Sequence, residues 1–438
     1  MRLLINEIKS RVKKVRLENG YALMMDDEEE FYVIKPETYK LLSFILEHED
    51  EEIVDYFSKL YIKYNKKEYQ LEYFLKKVLS FILSKQEEFD IDNFKDRIKK
   101  QIRNISKNLN LKAPIYISMQ ILDICNLKCK HCYNDSHEGN TALVSFSEAK
   151  YIIDQLDKMG VFMIGLTGGE PLLHPELFEI IKYANDKRIL VNMNTNGTLL
   201  TSEVALKLKK SGLNSLKISI DGSRKNHNFI RRSYRAFDDA VNAVRIAKDI
   251  GLKPEIYFVV IKRNLNDIEY MIELAERLDV DINIRRFIPI GRGEQEIDNI
   301  LDYKDVEYLL KKIEECNYNR VTIDRCYLFD GRRGNCLICN KTVMTITKNG
   351  DVFTCPYIQY DEFKIGNIYE QEFDEICKKV SNHPFVNYNK SDFDGPCKNC
   401  ESFDICYGGC RGISYVLNDK KIYSLDPQCK KVSSYFSR

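Results

Sequence analysis

ICNLKCKHCYN, residues 124–134, places Cys125, Cys129 and Cys132 on one short stretch of chain. Three thiolates at C-x3-C-x2-C spacing can hold three irons of a cubane [4Fe–4S] cluster and leave its fourth iron without a protein ligand. Structural clusters take four cysteines, so the vacancy marks a place where chemistry can begin. A zinc loop is the competing reading, but structural zinc takes four ligands, commonly as C-x2-C pairs. His131 would have to be the fourth, and from between two cysteines it would strain a tetrahedral site.

Around this loop the chain alternates strand and helix. Apolar, β-rich runs occur at IYISMQILD (115–123), FMIGL (162–166), ILVNMN (189–194), SLKISI (215–220), EIYFVVI (255–261) and INIRRF (282–287). Helical periodicity separates them at 147–159, 175–187, 202–212, 237–251 and 266–278. Ser145 with Glu148, and Asn266 with Glu269, have capping-box spacing at two helix starts. Six strands alternating with helices predict an α/β fold of parallel βα units, curled into an incomplete barrel or an open sheet. Ligands bind at the C-terminal ends of strands in both architectures. The three-cysteine loop directly follows the first strand, which puts it at that mouth.

Polar motifs close the next three strands. LTGGEP (166–171) offers Gly168 and Gly169 for close backbone approach and Glu170 as a carboxylate for an ammonium group. NTNG (194–197) brings Asn196, and SIDG (219–222) brings Ser219 and Asp221, suited to ribose hydroxyls. Arg231 and Arg232 follow, and either suits a carboxylate. Strand-end Ser, Asn and Asp are usually turn formers. Together they form a ring of polar groups beside the open iron.

The 438 residues allow two or three domains, with 44% hydrophobic and 30% charged residues and a net charge of +1. No global field advertises nucleic acid or membrane as a partner. MRLLINEIKSRVKK has no apolar run long enough for a signal peptide or a membrane span, so a cytoplasmic location is expected. In that compartment 14 cysteines are not read as disulfides. Residues 1–124 and 133–315 hold none, whereas Cys336, Cys339, Cys355, Cys397, Cys400, Cys406, Cys410 and Cys429 crowd the C-terminal part. Cys316, Cys326 and Cys377 remain, and Cys316 and Cys377 lie in helical patterns as ordinary thiols. Residues 319–438 are poor in continuous apolar segments, with a hairpin signal at Asn349–Gly350, and are expected to need metal to fold.

CNLKCKHCY resembles the C-x3-C-x2-C-aromatic signature of the radical S-adenosylmethionine (SAM) enzymes, and GGEP, NTNG and SIDG sit where that family keeps its SAM contacts. The resemblance implies a partial (β/α)6 barrel over residues 113–318, in which SAM chelates the unique iron and a 5′-deoxyadenosyl radical abstracts a substrate hydrogen. By position it assigns Gly168, Gly169 and Glu170 to the methionyl amine and Asn196 to the same SAM-binding ring. Ser219 and Asp221 fall to the ribose, Arg231 or Arg232 to the carboxylate, and Tyr133 to the adenine.

Cys339, Gly350 and Cys355, then Cys397, Cys400, Cys406 and Cys410, then Cys429, resemble the SPASM domain of peptide-modifying radical SAM enzymes. Zinc-ribbon knuckles would account for C-x2-C but not for the seven-cysteine order. The resemblance implies two auxiliary [4Fe–4S] clusters, Cys339, Cys355 and Cys410 on one and Cys397, Cys400, Cys406 and Cys429 on the other. Cys336 is the natural fourth ligand of the former, with Cys326 as competitor and an open iron as a further possibility. Pro356 stands where sulfatase-maturing relatives carry an acidic base, so this chain departs from that branch.

Strand-like pieces at KKVRL, YALMM and FYVI, with a turn at Asn19–Gly20, are followed by helical patterns at 36–48, 51–64 and 68–85. This small α+β, winged-helix-like domain over residues 1–90, with a helical linker over 91–112, resembles the peptide-recognition element of ribosomal-peptide maturases. Its sheet edge would take a leader peptide as an added strand. A DNA-binding winged helix is the rival reading, disfavoured by the acidic runs DDEEE (26–30) and EHEDEE (47–52). The expected activity is a radical SAM maturase that crosslinks a precursor peptide, thioether first and carbon–carbon second, fed by a donor such as ferredoxin or flavodoxin. The alternatives are maturation of an enzyme subunit or a peptide-derived cofactor and, outside enzymes, an iron–sulfur electron carrier or sensor.

Overall fold

The computed structural model describes residues 2–18, 22–26, 31–34, 36–49, 52–53, 111–139, 141–323, 342–429 and 431–432. The chain divides into two compact units, Met1–Lys112 and Ala113–Arg438.

The first unit opens with a helix that the sequence reading missed, α1 (Arg2–Arg11), which buries Ile5 and Ile8. Strands β1 (Val12–Leu17), β2 (Ala22–Asp26) and β3 (Phe31–Ile34) form an antiparallel sheet in that order, and α2 (Pro36–Glu47) follows. The three strands and α2 fall where expected, and Pro36 opens the helix, where its missing N–H costs nothing. Met24, Met25, Leu42 and Ile45 complete the small core. The Asn19–Gly20 turn and almost all of 51–110, with its expected helices and linker, lie outside the described residues.

In the second unit all six expected strands are present as β4 (Tyr116–Leu122), β5 (Met163–Gly168), β6 (Leu190–Thr195), β7 (Ser215–Ser219), β8 (Pro254–Val260) and β9 (Asp281–Arg286). They lie side by side in sequence order, all parallel. Between them run α3 (Phe146–Lys158), α4 (Leu177–Asp186), α5 (Ser202–Lys210), α6 (Arg224–Arg231), α7 (Ala236–Ile250) and α8 (Ile268–Leu278), with α9 (Tyr303–Glu315) after β9. In β7 and β8 burial alternates: Leu216, Ile218, Ile256, Phe258 and Val260 join the core, while Lys217, Ser219 and Tyr257 are turned to the other face. The Ser145–Glu148 capping box is formed at α3. The one expected at Asn266–Glu269 is not, because a 3-10 turn over Lys262–Asp267 already carries the chain into α8.

The sheet does not stop at residue 318. Strand β10 (Val321–Ile323) pairs parallel with β9, and β11 (Val343–Ile346) pairs parallel with β4 from the other side. An antiparallel extension, β12 (Asp351–Phe353) and β13 (Gly366–Asn367), brings the sheet to ten strands. Strand β11 thus covers the edge that β4 would otherwise leave open. Short helices α10 (Phe373–Lys379), α11 (Phe403–Cys406) and α12 (Arg411–Leu417) complete the C-terminal part.

One buried ion pair fastens that part to the barrel. Arg286, the last residue of β9, meets both oxygens of Asp426 at 2.9 and 2.7 Å, and both side chains are wholly enclosed. Asp426 also accepts from the backbone N–H groups of Cys410 and Gln428. Removing one partner leaves the other buried and unpaired. Arg286→Met is therefore expected to lower unfolding free energy by about 3–5 kcal/mol, read as a shift in denaturant midpoint; an unchanged midpoint contradicts this.

Candidate functional site

The cysteine loop leaves β4 at Leu122 and is held from three sides. Below it, Gly169 N–H donates to the Leu122 carbonyl and Glu170 N–H to that of Ile124, both at 2.9 Å. A Cβ at Gly168 (φ +130°) or Gly169 would run into those same two carbonyls. The glycines were expected to admit a ligand to the backbone; what they admit is the root of the cysteine loop itself. From α6, the Ile230 carbonyl accepts from Lys130 N–H. From the turn after β9, the buried Arg292 donates to the carbonyls of Cys129 (2.8 Å) and Ser136 (2.9 Å) and pairs with Asp135.

All three thiols are free, Cys129 buried and the other two half-buried. Burial pushes the Cys125 thiol up to about 12 and raises that of Cys129. Such thiols hold their protons until a metal displaces them. Among the described residues, no group of three His, Cys, Asp or Glu side chains is arranged to hold a metal ion. A cubane spreads its thiolates wider than the ligands of one ion, and three thiols flanked by a cation fit it chemically.

That cation is Arg231, whose Nη1 lies 3.7 Å from Cys129 Sγ. Its Nε and Nη2 both reach Asp221 Oδ2 at 2.6 Å. His131 Nε2 approaches the same oxygen at 3.1 Å, and Val259 N–H donates to Oδ1 at 3.1 Å. Burial alone would raise the Asp221 carboxyl, but Arg231 and His131 hold it well below the usual range. His131, weighed above as a metal ligand, therefore serves Asp221. Asp221, expected beside a ribose, is fully buried, with Oδ2 on Arg231 and His131 and Oδ1 on Val259 N–H. Of the two candidate arginines, Arg231 is buried at the cluster loop and Arg232 is exposed.

Glu170 is likewise enclosed. Oε1 accepts from Thr195 Oγ1 at 2.6 Å and Leu172 N–H, and Oε2 accepts from Asn196 N–H at 2.8 Å. Burial raises its carboxyl while these bonds oppose the rise. Asn196 Nδ2 donates to Asn126 on the cysteine loop at 2.9 Å. Ser219 is half-buried at the end of β7, and among the described residues its hydroxyl makes no hydrogen bond. Tyr133 OH meets Thr167 Oγ1 at 3.3 Å, and its ring stacks edge-on against Tyr357, two residues beyond Cys355. These residues gather around the loop, and Glu170 and Asn196 bond directly to its root.

In the C-terminal part, Cys397, Cys400, Cys406 and Cys429 line one small pocket with Phe403, Gly408 and Lys431. Burial pushes the Cys397 thiol up to about 12 and that of Cys406 to about 11. Cys410 lies apart from this pocket, packed with Ile413, and Cys355 packs with Phe353 and Ile358; Tyr357 borders both groups. Cys326, Cys336 and Cys339 lie outside the described residues. Sequence reading missed Arg292, Asp426 and Arg411; GRG at 291–293 was the one available signal, since Gly291 (φ +58°) sits against the Tyr133 carbonyl.

An incomplete parallel barrel with three thiols at its mouth and a second, cysteine-lined domain defines a radical-initiating iron–sulfur enzyme. Residues 119–277 match the radical SAM superfamily, and residues 336–401 match the SPASM iron–sulfur cluster-binding domain. The mycofactocin maturase MftC of Mycolicibacterium smegmatis is 30% identical over 330 residues, 73% of this chain and 83% of that protein. The AdoMet-dependent heme synthase of Methanosarcina barkeri is 30% identical over 343 residues, 72% of this chain and 96% of that protein. Streptococcus suis SuiB bound to precursor peptide SuiA superposes with a TM-score of 0.70 at 18% identity, covering 96% of this chain and 99% of that one. The chain belongs to the radical SAM superfamily and carries a SPASM domain. It is an enzyme whose cofactors are SAM and iron–sulfur clusters. Among the described residues no helix is long and apolar enough to cross a membrane.

Asp221→Asn removes the charge that neutralises Arg231 beside Cys129. SAM cleavage by the reconstituted enzyme is expected to fall at least tenfold, about 1.4 kcal/mol of barrier; wild-type cleavage would contradict the positioning role. His227 accepts from Asp221 N–H, and burial with the Arg231 charge pulls it down to about 3. As pH falls below about 6.5 the unfolded chain takes up a proton that the folded chain refuses, so stability is lost with falling pH. Denaturant midpoints between pH 7 and 5 should decline less in His227→Gln than in the wild type.

Proposed function

We propose that this enzyme matures a ribosomally made precursor peptide, engaging its leader through residues 1–90 and closing an intramolecular crosslink in its core. A thioether from a cysteine sulfur to carbon is favoured over a carbon–carbon bond. The observation that carries this reading is the N-terminal unit. Its antiparallel sheet ends on β3, and among the described residues no strand pairs with the outer edge of β3. An extended leader adding there would gain backbone hydrogen bonds for affinity and side-chain pockets for specificity. The likeness to SuiB, solved with its precursor peptide, spans 96% of this chain and so includes this unit. The heme synthase match uses 96% of that protein yet leaves more than a quarter of this chain without a counterpart.

In this reading Cys125, Cys129 and Cys132 ligate the initiating cluster. Cys397, Cys400, Cys406 and Cys429 ligate one auxiliary cluster, and Cys355, Cys410 and Cys339 with Cys336 the other. When bound, the initiating cluster together with SAM would supply a 5′-deoxyadenosyl radical, and the auxiliary clusters a sink for the electron that crosslinking releases. The protein's part is positional. Ser219, with its hydroxyl uncommitted, is suited to bind SAM from the barrel wall, and Tyr133 to border the adenine. Glu170 and Asn196 stiffen the loop root, and Arg231 meets carboxylate or cluster with its orientation fixed by Asp221. An external donor of ferredoxin or flavodoxin type supplies the priming electron.

Anaerobic reconstitution with SAM, dithionite and a peptide encoded beside the gene tests this. The expected products are 5′-deoxyadenosine and a peptide lighter by two hydrogens, with its cysteine no longer alkylatable. Peptide without its leader should lose at least tenfold in turnover while peptide-independent SAM cleavage is unchanged. Absence of 5′-deoxyadenosine would sink the reading. The identity to the mycofactocin maturase favours a second reading, maturation of a peptide-derived cofactor; a cysteine-free precursor that is nonetheless processed would select it over the thioether.

A further inference from the structure

Five arginines are buried among the described residues: Arg16, Arg231, Arg286, Arg292 and Arg411. Four have a carboxylate partner, in Glu18, Asp221, Asp426 and Asp135 respectively. Arg411, at the start of α12, is the most enclosed of the five, at 0% exposure, and among the described residues no carboxylate pairs with it. Its guanidinium donates instead to the carbonyls of Gly408, Gly409 (3.4 Å), Ile422 (3.2 Å) and Ser424 (3.0 Å), and to Ser414 Oγ (3.4 Å). The face of Phe393 lies 4.6 Å away. Neutral dipoles orient a guanidinium but do not cancel its charge, and a buried uncompensated cation is costly.

Gly408, whose carbonyl accepts from Arg411, leads to a group of cysteines. That residue lines the pocket shared by Cys397, Cys400, Cys406 and Cys429, and Phe393 packs in one cluster with Cys397 and Phe403. Four thiolates around a [4Fe–4S] core carry net negative charge, and its potential responds to nearby charge and burial. We propose that Arg411 is the built-in counter-charge of a cluster held by Cys397, Cys400, Cys406 and Cys429, and that it raises that cluster's reduction potential. The proposal rests on the reading that these four cysteines ligate a cluster.

The reason is electrostatic. Reduction adds one electron and one negative charge, and a dehydrated cation in a low-dielectric site favours the more negative form. At the initiating loop the corresponding arginine, Arg231, shares its charge with the carboxylate of Asp221. A second cation, Lys431, stands 3.5 Å from Cys400 Sγ, but it is exposed and therefore screened by solvent.

The test is an EPR-monitored redox titration of the reconstituted full-length enzyme, with iron content, for Arg411→Gln, Arg411→Lys and Lys431→Met. The glutamine variant is expected to lower the potential of one auxiliary cluster and leave the others in place. The lysine variant should stay near the wild type, and Lys431→Met should shift far less than Arg411→Gln. If the glutamine variant fails to take up the cluster while the lysine variant loads it, charge is again what the site needs. An Arg411→Gln enzyme with full iron and unchanged potential overturns the proposal. So does failure of both variants to load, or of lysine alone, because the carbonyl contacts would then be the role. A C397A/C400A variant that keeps wild-type iron would instead overturn the ligand reading beneath it.

Discussion

Asp221 is the constraint on which the rest of the site depends. Its carboxylate, sealed from water just beyond β7, joins three segments: Arg231 from α6, His131 from the cysteine loop and Val259 N–H from β8; its backbone N–H donates to His227, also on α6. Asn264 closes the ring, donating to the carbonyls of Asp221 and Val259. A bound carboxylate in a low-dielectric site holds direction strongly, so Arg231 has one place to stand, and that place is beside Cys129. The loop that must present three thiols at defined separations is thereby tied to the strands rather than left to its own conformational freedom.

The same device recurs where the chain must hold its parts in register. Arg292 with Asp135 locks the loop from the turn after β9, and Arg286 with Asp426 fixes the Cys410 and Cys429 segment onto β9 itself. The enclosed Arg286–Asp426 pair adds little net stability, because desolvation offsets attraction, but removing either partner is costly, so it fixes position. In an enzyme whose cofactors demand sulfur ligands from distant parts of the chain, position is what is required. Glu170 acts in the same way without a cation, through hydrogen bonds from Thr195, Asn196 and Leu172.

Much of this architecture was legible in the sequence. Six apolar runs with helical segments between them became β4–β9 in order, because parallel strands buried on one face by helices leave a strong periodic signal. The thiol triplet and the later cysteines were legible because ligand spacing is local. What escaped was long-range. Strand β11 is four residues long and pairs with β4, more than two hundred residues earlier, so no local pattern announces that the sheet crosses residue 318. The glycines of GGEP also have a role that no local pattern announces: a Cβ there would meet the carbonyls of Leu122 and Ile124, a close approach within the chain. Asp221 was read as a ligand-facing carboxylate because nothing in SIDG reveals that Arg231 and His131 will converge on it. The Asn266 cap failed for a local reason, a 3-10 turn that begins at Lys262.

The central claim is that catalysis begins at Cys125, Cys129 and Cys132, with the later cysteines in a separate role. The most direct measurement compares 5′-deoxyadenosine formation and iron content in the wild type with a variant in which all three are alanine. The account predicts that the wild type cleaves SAM and that the variant does not, while the variant keeps the iron bound by its C-terminal cysteines. SAM cleavage surviving in the triple variant would contradict it.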